Sequence, residues 1–255
     1  NKYIAEKYKK RPLWGVDTTM AGYTYLRKAH CMFGWDWGPQ TIDAGIWRDI
    51  YIEAVDYPQI EDVRIRQNHE ISNMVKLEID ITMSETIAEK TADYVQVTLK
   101  DANGNVVDNV VAMYIDNQKY KAVIEVHEPE LWWPNGYGEQ NLYDASFTFV
   151  INNEVSDKVD FKVGVRQVDA KEIDSVLHLY VNGRRFVGRG GNWGFSESNL
   201  NYRGREYDIA VAYHANENFN IMRNWVGQTG DMELYEACDR HGIMVWQDFW
   251  LANPS

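Results

Sequence analysis

Between residues 58 and 166 the chain breaks into short runs whose apolar side chains return at every second position: IEDVRIRQ, MVKLEIDITM, YVQVTLKD, KAVIEVHE, LYDASFTFVI and DKVDFKVGVRQ. A period of two sends alternate side chains to opposite faces of an extended strand, so each run has one face to bury and one to leave in water. Turn signals fall between the runs, notably Asp101-Ala102-Asn103-Gly104 and Pro134-Asn135-Gly136. Many such strands in roughly one hundred residues point to an antiparallel β-sandwich of immunoglobulin type. The usual Cys–Trp–Cys core is missing, since the chain has only two cysteines, Cys31 and Cys238. A sandwich without the antibody disulfide is therefore expected over residues 58–168.

The pattern changes on either side. Residues 1–57 hold irregular, aromatic-rich sequence and run into IWRDIYIEAV, where Ile46, Ile50, Ile52 and Ala54 roughly alternate with polar residues. That stretch reads as a strand closing a β domain whose beginning is absent. From about residue 177, LHLYVNGRRFVGRGGNW reads as a hairpin with Asn182-Gly183 as its two-residue turn. A helical stretch from Arg203 to Asn218 follows, then a strand in FNIMRNW, a second helix near Asp231 to His241 closed by Gly242, and the apolar strand IMVWQDFW. Strand, helix, strand, helix, strand means parallel βαβ units, which fit a barrel or an open sheet equally. Residues 169–255 are thus read as a third domain, with Cys238 a structural thiol on a buried helix face. Neither NKYIAEKYKKRPLWG nor LANPS looks like a natural terminus, so a fragment is expected.

In parallel α/β folds the site lies at the carboxyl ends of the strands. Here those ends are Gly190-Gly191-Asn192-Trp193, Arg223-Asn224-Trp225 and Gln247-Asp248-Phe249-Trp250. Tryptophans beside amide, guanidinium and carboxylate groups suit a sugar, whose C–H faces stack on rings and whose hydroxyls need donors and acceptors. The aromatic content of 13%, with 10 Trp and 16 Tyr, fits a binding role and well-stocked β cores alike. A net charge of −12 argues against nucleic acid, which demands clustered Lys and Arg, and leaves a neutral ligand comfortable. No stretch reaches the ~20 apolar residues of a membrane-spanning helix. Gly188-Arg189-Gly190-Gly191 lacks phosphate-loop spacing and reads as glycines that permit close approach. His178, His214 and His241 form no metal-ligand pattern, and no nucleophile elbow is present, so neither metal nor acyl-transfer chemistry is expected; no cofactor is assigned.

Four motifs carry a resemblance. FGWDWGP (33–39) followed by AGIWRDIYIEA resembles the end of the N-terminal sugar-binding domain of β-mannosidases in glycoside hydrolase family 2. LWWPNGYGEQNLY is similar to that family's linker strand, and LYVNGRRFVGRGGNW resembles its entry into the catalytic barrel. NFNIMRNWVGQTGDMELYEACDRHGIMVWQDFW is similar to the family's stretch through the second and third barrel strands. The resemblance spans essentially the whole chain, with the motifs in the expected order.

It implies the tail of a jelly-roll sugar-binding domain over 1–57, an immunoglobulin-like sandwich over 58–168 and the first part of a (β/α)8 barrel over 169–255. It also implies a retaining double displacement by two glutamates on the fourth and seventh barrel strands, expected beyond Ser255, so no residue of this chain is assigned as catalytic. Glu197 matches no catalytic motif and reads as a solvated loop acid. Substrate-binding residues carried over are Trp35 and Asp36, from the loop that reaches the barrel mouth, with Asn192, Trp193, Arg223, Trp225 and Asp248. The implied partner is an oligosaccharide or glycoside, at a secreted or periplasmic location by family habit. Where mannosidases often carry R-x-W-G-G-G, this chain has Arg223-Asn224-Trp225-Val226-Gly227-Gln228, which leaves exo-β-glucosaminidases and endo-β-mannosidases open as alternatives. A non-catalytic carbohydrate-binding module and a structural interaction protein remain as competing classes. Three parallel strands cannot close a barrel, so self-association over the uncovered apolar flanks is expected, or else a longer parent chain.

Overall fold

The computed structural model of the chain describes residues 2–11, 19–26, 33–34, 40, 45–46, 49–84, 93–116, 118–194, 204–225 and 231–249, and it is mostly β. Seven strands form one curled sheet: β1 (Ile60–Ile71), β2 (Met74–Met83), β3 (Asp93–Lys100), β4 (Val106–Tyr114), β5 (Lys119–His127), β6 (Tyr143–Ile151) and β7 (Glu154–Val163). All neighbours are antiparallel in the order β1-β2-β5-β4-β3-β6-β7. The curl pivots on β4. It pairs along its length with β3 but meets β5 only through Met113 and Tyr114, so it passes from one half of the sheet to the other.

Alternation fills the space between the halves. β5 buries Tyr120, Ala122, Ile124 and Val126 and exposes the residues between them. Leu77, Ile79 and Ile81 of β2 join them in one cluster with Val95, Val97 and Leu99 of β3 and Phe147 and Phe149 of β6. Full burial of each such side chain stabilises the fold by about 1.5–3 kcal/mol. At the open edges β1 and β7 meet: Ile60 N–H donates to Asp157 Oδ2 at 2.7 Å, and Gln67 bridges Gly164 O and Arg166 N–H at 2.9 Å each. The Arg166 guanidinium lies 4.4 Å from the ring centre of buried Trp132.

Two sequence expectations differ from this. β4 was not among the expected strands. Its valines come in adjacent pairs, Val106-Val107 and Val110-Val111, which hide a period of two, and only Ala112 is buried. The stretch 46–55 was expected to be a strand, yet its described residues form none, and Ile46, Ile50 and Ile52 are exposed, Ile52 fully. An alternating sequence becomes a strand only where a neighbour takes its backbone hydrogen bonds, and none of the described strands pairs with it.

A second sheet, antiparallel, holds β8 (Val168–Ile173), β9 (Val176–Val181) and β10 (Arg184–Phe186) in the order β10-β9-β8. Asn182 and Gly183, at φ 50° and 74°, make the two-residue turn read from the sequence. Asn182 Nδ2 donates to Trp132 O at 3.0 Å, and Val187 N–H donates to Tyr137 Oη at 2.8 Å. These bonds fasten the hairpin to the segment before β6. The hairpin accordingly falls in the compact unit Ile52–Val187.

The other unit comprises Asn1–Tyr51 and Gly188–Ser255. It opens with a short helix, α1 (Lys2–Lys7). Its main element is a parallel sheet, β11 (Gly190–Trp193), β12 (Ile221–Asn224) and β13 (Met244–Gln247), with α2 (Arg205–Asn216) and α3 (Met232–His241) as the connections. α3 ends as its sequence requires, at Gly242 with φ 73°, whose N–H donates back to Cys238 O. Trp193, Tyr207, Val211, Met222, Leu234, Ala237, Cys238 and Ile243 form the core between sheet and helices. Burial pushes the Cys238 thiol up to about 12, as fits a structural cysteine.

Candidate functional site

Gly190 explains how β11 lies so close to β12. A Cβ placed there would sit 1.7 Å from Ile221 O, so any side chain would force the strands apart. The register aligns Asn192, Arg223 and Trp246 in one row and Trp193, Asn224 and Gln247 in the next. Paired residues of a parallel sheet share a face, and successive residues alternate. Trp193 packs against Tyr207 of α2 at 6.4 Å between ring centres, and Gln247 is bonded to Tyr235 of α3, which fixes their row on the helix-covered face. Asn192, Arg223 and Trp246 therefore point the other way. Trp246 is 53% exposed there.

On that face Arg223 grips Asp248. Arg223 Nε donates to Asp248 Oδ1 at 3.2 Å, Nη2 donates to Oδ2, and Nη1 donates to Asn192 Oδ1 at 3.3 Å. The two-pronged geometry suits a guanidinium and not an ammonium. Asp248 is more sheltered than its partner, with side-chain exposures of 15% and 42%. Arg223 has five N–H groups and spends three on these bonds, while each Asp248 oxygen accepts from one of them. The pair thus offers donors and acceptors side by side with no net charge, a match for the adjacent hydroxyls of a neutral polyol.

The helix-covered row is polar at its end. Asn224 is 1% exposed, its Nδ2 donating to Gln247 Oε1 at 2.9 Å and its Oδ1 buried without a partner. A buried unmet acceptor costs about 1–3 kcal/mol. Tyr235 donates to the same Gln247 oxygen at 2.7 Å, and burial raises its phenol above the ordinary value. Tyr207, raised chiefly by burial and then by its bond to Asp231, ties α2 to the start of α3 at 2.9 Å.

Of the residues singled out in the sequence, Asn192, Arg223 and Asp248 are brought together at the strand ends. Trp225 follows β12 and is half-buried. Trp193 is a core residue, 6% exposed and packed on Tyr207 and His214, because strand alternation turns it away from its neighbour Asn192. Trp35, Asp36 and Glu197 lie outside the described residues. Sequence reasoning missed Trp246 and Tyr235. Trp246 stands two positions before Asp248, the spacing of one strand face, and so was detectable; Tyr235 shows itself only through its bond. Among the described residues no group of three or more His, Cys, Asp and Glu is placed to hold a metal, and no helix is long and apolar enough to cross a membrane. His214 Nδ1 donates to Ala210 O at 2.7 Å and His241 meets Asp208 at 2.9 Å, so both histidines have structural partners.

A mostly β chain carrying a small parallel α/β sheet with a polyol-suited strand end defines a class, and the comparisons agree with it. Residues 59–166 match the family described as glycosyl hydrolases family 2, and residues 1–48 match the glycosyl hydrolase 2 galactose-binding domain-like family. Both matched stretches are thus domains of glycoside hydrolase family 2, and the chain is similar to β-mannosidases. It is 30% identical over 235 residues to β-mannosidase B of Emericella nidulans, covering 88% of this chain and 27% of that one. It is 29% identical over 239 residues to the mannosylglycoprotein endo-β-mannosidase of Lilium longiflorum, covering 86% and 25%. The crystal structure of a β-D-mannosidase from Dictyoglomus thermophilum superposes with a TM-score of 0.85 at 26% identity, over 98% of this chain and 31% of that one. A Bifidobacterium dentium β-glucuronidase shares the fold alone, with a TM-score of 0.62 at 19% identity, over 76% and 31%. The chain spans about a quarter of the length of the curated relatives it matches.

Proposed function

We propose that the protein to which these residues belong is a glycosidase that removes a terminal β-linked sugar, mannose in the first instance, with retention of configuration. In this reading residues 1–57 are the tail of a jelly-roll sugar-binding domain, 58–168 an immunoglobulin-like sandwich, and 169–255 the first part of a (β/α)8 barrel whose parallel strands end at the sugar. Two glutamates on later barrel strands, with carboxyls on the order of 5 Å apart, supply nucleophile and acid/base. This chain supplies binding groups. Arg223 and Asp248 hydrogen-bond adjacent hydroxyls, Asn192 holds the guanidinium, Trp225 and Trp35 help wall the pocket, and Asp36 accepts hydrogen bonds from hydroxyls.

The observation that supports this most is the Arg223–Asp248–Asn192 group at the ends of three adjacent parallel strands, on the face opposite α2 and α3. A panel of aryl β-glycosides, mannoside, glucosaminide and galactoside, offered to the whole protein tests it. The mannoside should turn over fastest, and Arg223→Ala or Asp248→Asn should lower kcat/KM roughly 10- to 100-fold, the worth of hydrogen bonds to a charged group. Equal rates on all three, or unchanged kinetics in both variants, would sink the reading. The near-equal identity to the endo-β-mannosidase favours endo action as a second reading. A mannosyl oligosaccharide with internal and terminal β-linkages distinguishes them by which bond is cut.

A further inference from the structure

Behind Asp248 a chain of hydrogen bonds runs from the helix layer to the strand end. Tyr235 on α3 donates to Gln247 Oε1 at 2.7 Å, and Asn224 Nδ2 donates to the same oxygen at 2.9 Å. Gln247 Nε2 donates to the Asp248 carbonyl at 2.7 Å, while Asp248 N–H donates to Asn224 O at 3.2 Å. Both backbone groups of Asp248 are thus held before its carboxylate meets Arg223.

The two lone pairs of Gln247 Oε1 are taken by Asn224 Nδ2–H and Tyr235 Oη–H. Turning the Gln247 amide over would set its NH₂ group against the Asn224 NH₂ and its oxygen against the Asp248 carbonyl, so its own N–H points towards Asp248. Asn224 and the Asp248 carbonyl thus fix which way Gln247 faces, the Tyr235 hydroxyl ties that amide to α3, and Gln247 in turn holds the Asp248 backbone. A core selected for stability alone would have an apolar side chain at position 224, on the face shared with buried Met222, and would leave no acceptor unmet.

We propose that Tyr235 is a positioning residue for the sugar site: through Gln247, and with Asn224, it holds the end of β13 so that the Asp248 carboxylate stays in line with Arg223. The inference rests on the reading of Arg223 and Asp248 as sugar ligands. Tyr235 acts on the ligand only at one remove.

The test is a double-mutant cycle in the whole protein, with the aryl β-glycoside it hydrolyses fastest. Tyr235→Phe removes one oxygen and keeps the ring. It should lower kcat/KM roughly tenfold in the native background, as residues of one network couple, and change little in the Asp248→Asn background. A purely structural role would instead lower Tm while the folded fraction kept its kinetics, or would give the same loss in both backgrounds. Either result overturns positioning and leaves the sugar reading standing, because Asp248→Asn is then still impaired. Normal kinetics in Asp248→Asn would end the sugar reading and positioning with it, a distinct outcome. A second measurement needs no activity: in the 255-residue chain, hydrogen exchange at the Asp248 amide should quicken in Tyr235→Phe, and unchanged exchange there would also overturn the proposal.

Discussion

The two compact units spend their burial differently. In Ile52–Val187 the core is built from apolar side chains of both sheet halves, and polar side chains stay on the outer faces. In the α/β unit the two buried polar side chains found among the described residues, Asn220 and Asn224, bracket β12 at its start and its end. Asn220 Oδ1 accepts from Arg189 N–H at 2.7 Å and pins the approach to β11, while Asn224 reaches Gln247. One unit uses its interior to be stable; the other uses part of its interior to hold a strand end still. Buried polar groups that a core does not need are a sign of where precision matters, and here one of them, Asn224, sits behind Arg223 and Asp248.

The largest blow to that contrast would come from the sandwich. Phe147 is fully buried, stacked on Phe161 at 5.3 Å between ring centres, in the cluster that both sheet halves share. Phe147→Ala should cost about 3–5 kcal/mol, read as a lowered denaturation midpoint for that unit. A cost below about 1 kcal/mol would mean that the two halves collapse onto the cavity, and that this core is less tightly packed than the other.

Gly190→Ala sharpens the contrast from the other side. The added methyl meets the Ile221 carbonyl, backbone that cannot rotate away, so β11 must shift relative to β12. The expected cost is about 1–3 kcal/mol, typical of overpacking. Hydrogen exchange should quicken along β11, β12 and β13 while β2 and β5 keep their protection. Equal loss of protection in both units would show that they do not behave as separate units.

How much of this was legible beforehand divides along the same line. Strands of the sandwich declare themselves because one face is apolar and the other is not, as in KYKAVIEVH. Where valines double up, as in β4, that signal vanishes, and where no described strand pairs with the stretch, as for 46–55, the signal is there without the strand. In the α/β unit the helices, the Gly242 stop and the strand ends were readable. The pairing of Arg223 with Asp248 was not, because it depends on the register of two strands separated by a helix. Parity within a strand could have corrected one choice: Asn192 and Trp193 are adjacent, so only one of them can face a site, and Trp193 went to the core.

The smallest expected effect tests whether the helix layer owes its place to charges or to packing. Asp208 on α2 accepts from Arg240 Nε at 3.1 Å and Nη2 at 2.9 Å, and meets His241 Nε2 at 2.9 Å, both on α3. The hydrogen bond from Arg240, followed by that from His241, holds the Asp208 carboxyl below the usual carboxylate value. A folded value depressed below the unfolded one, about 3.9, gives stability that is present above pH 4 or so and lost as pH falls through the folded value. Asp208 and Arg240 are each more than two-fifths exposed, so solvent screens the pair and the gain is at most about 1 kcal/mol. Asp208→Asn should therefore lower stability by less than about 1 kcal/mol at neutral pH and flatten the acid side of the stability curve, measured by denaturant unfolding from pH 7 to pH 3. A loss of several kcal/mol would mean that the ion pair, and not the cluster of Tyr207, Val211, Leu234 and Cys238, fastens α2 to α3. The α/β unit would then owe its stability, as well as its site, to polar groups.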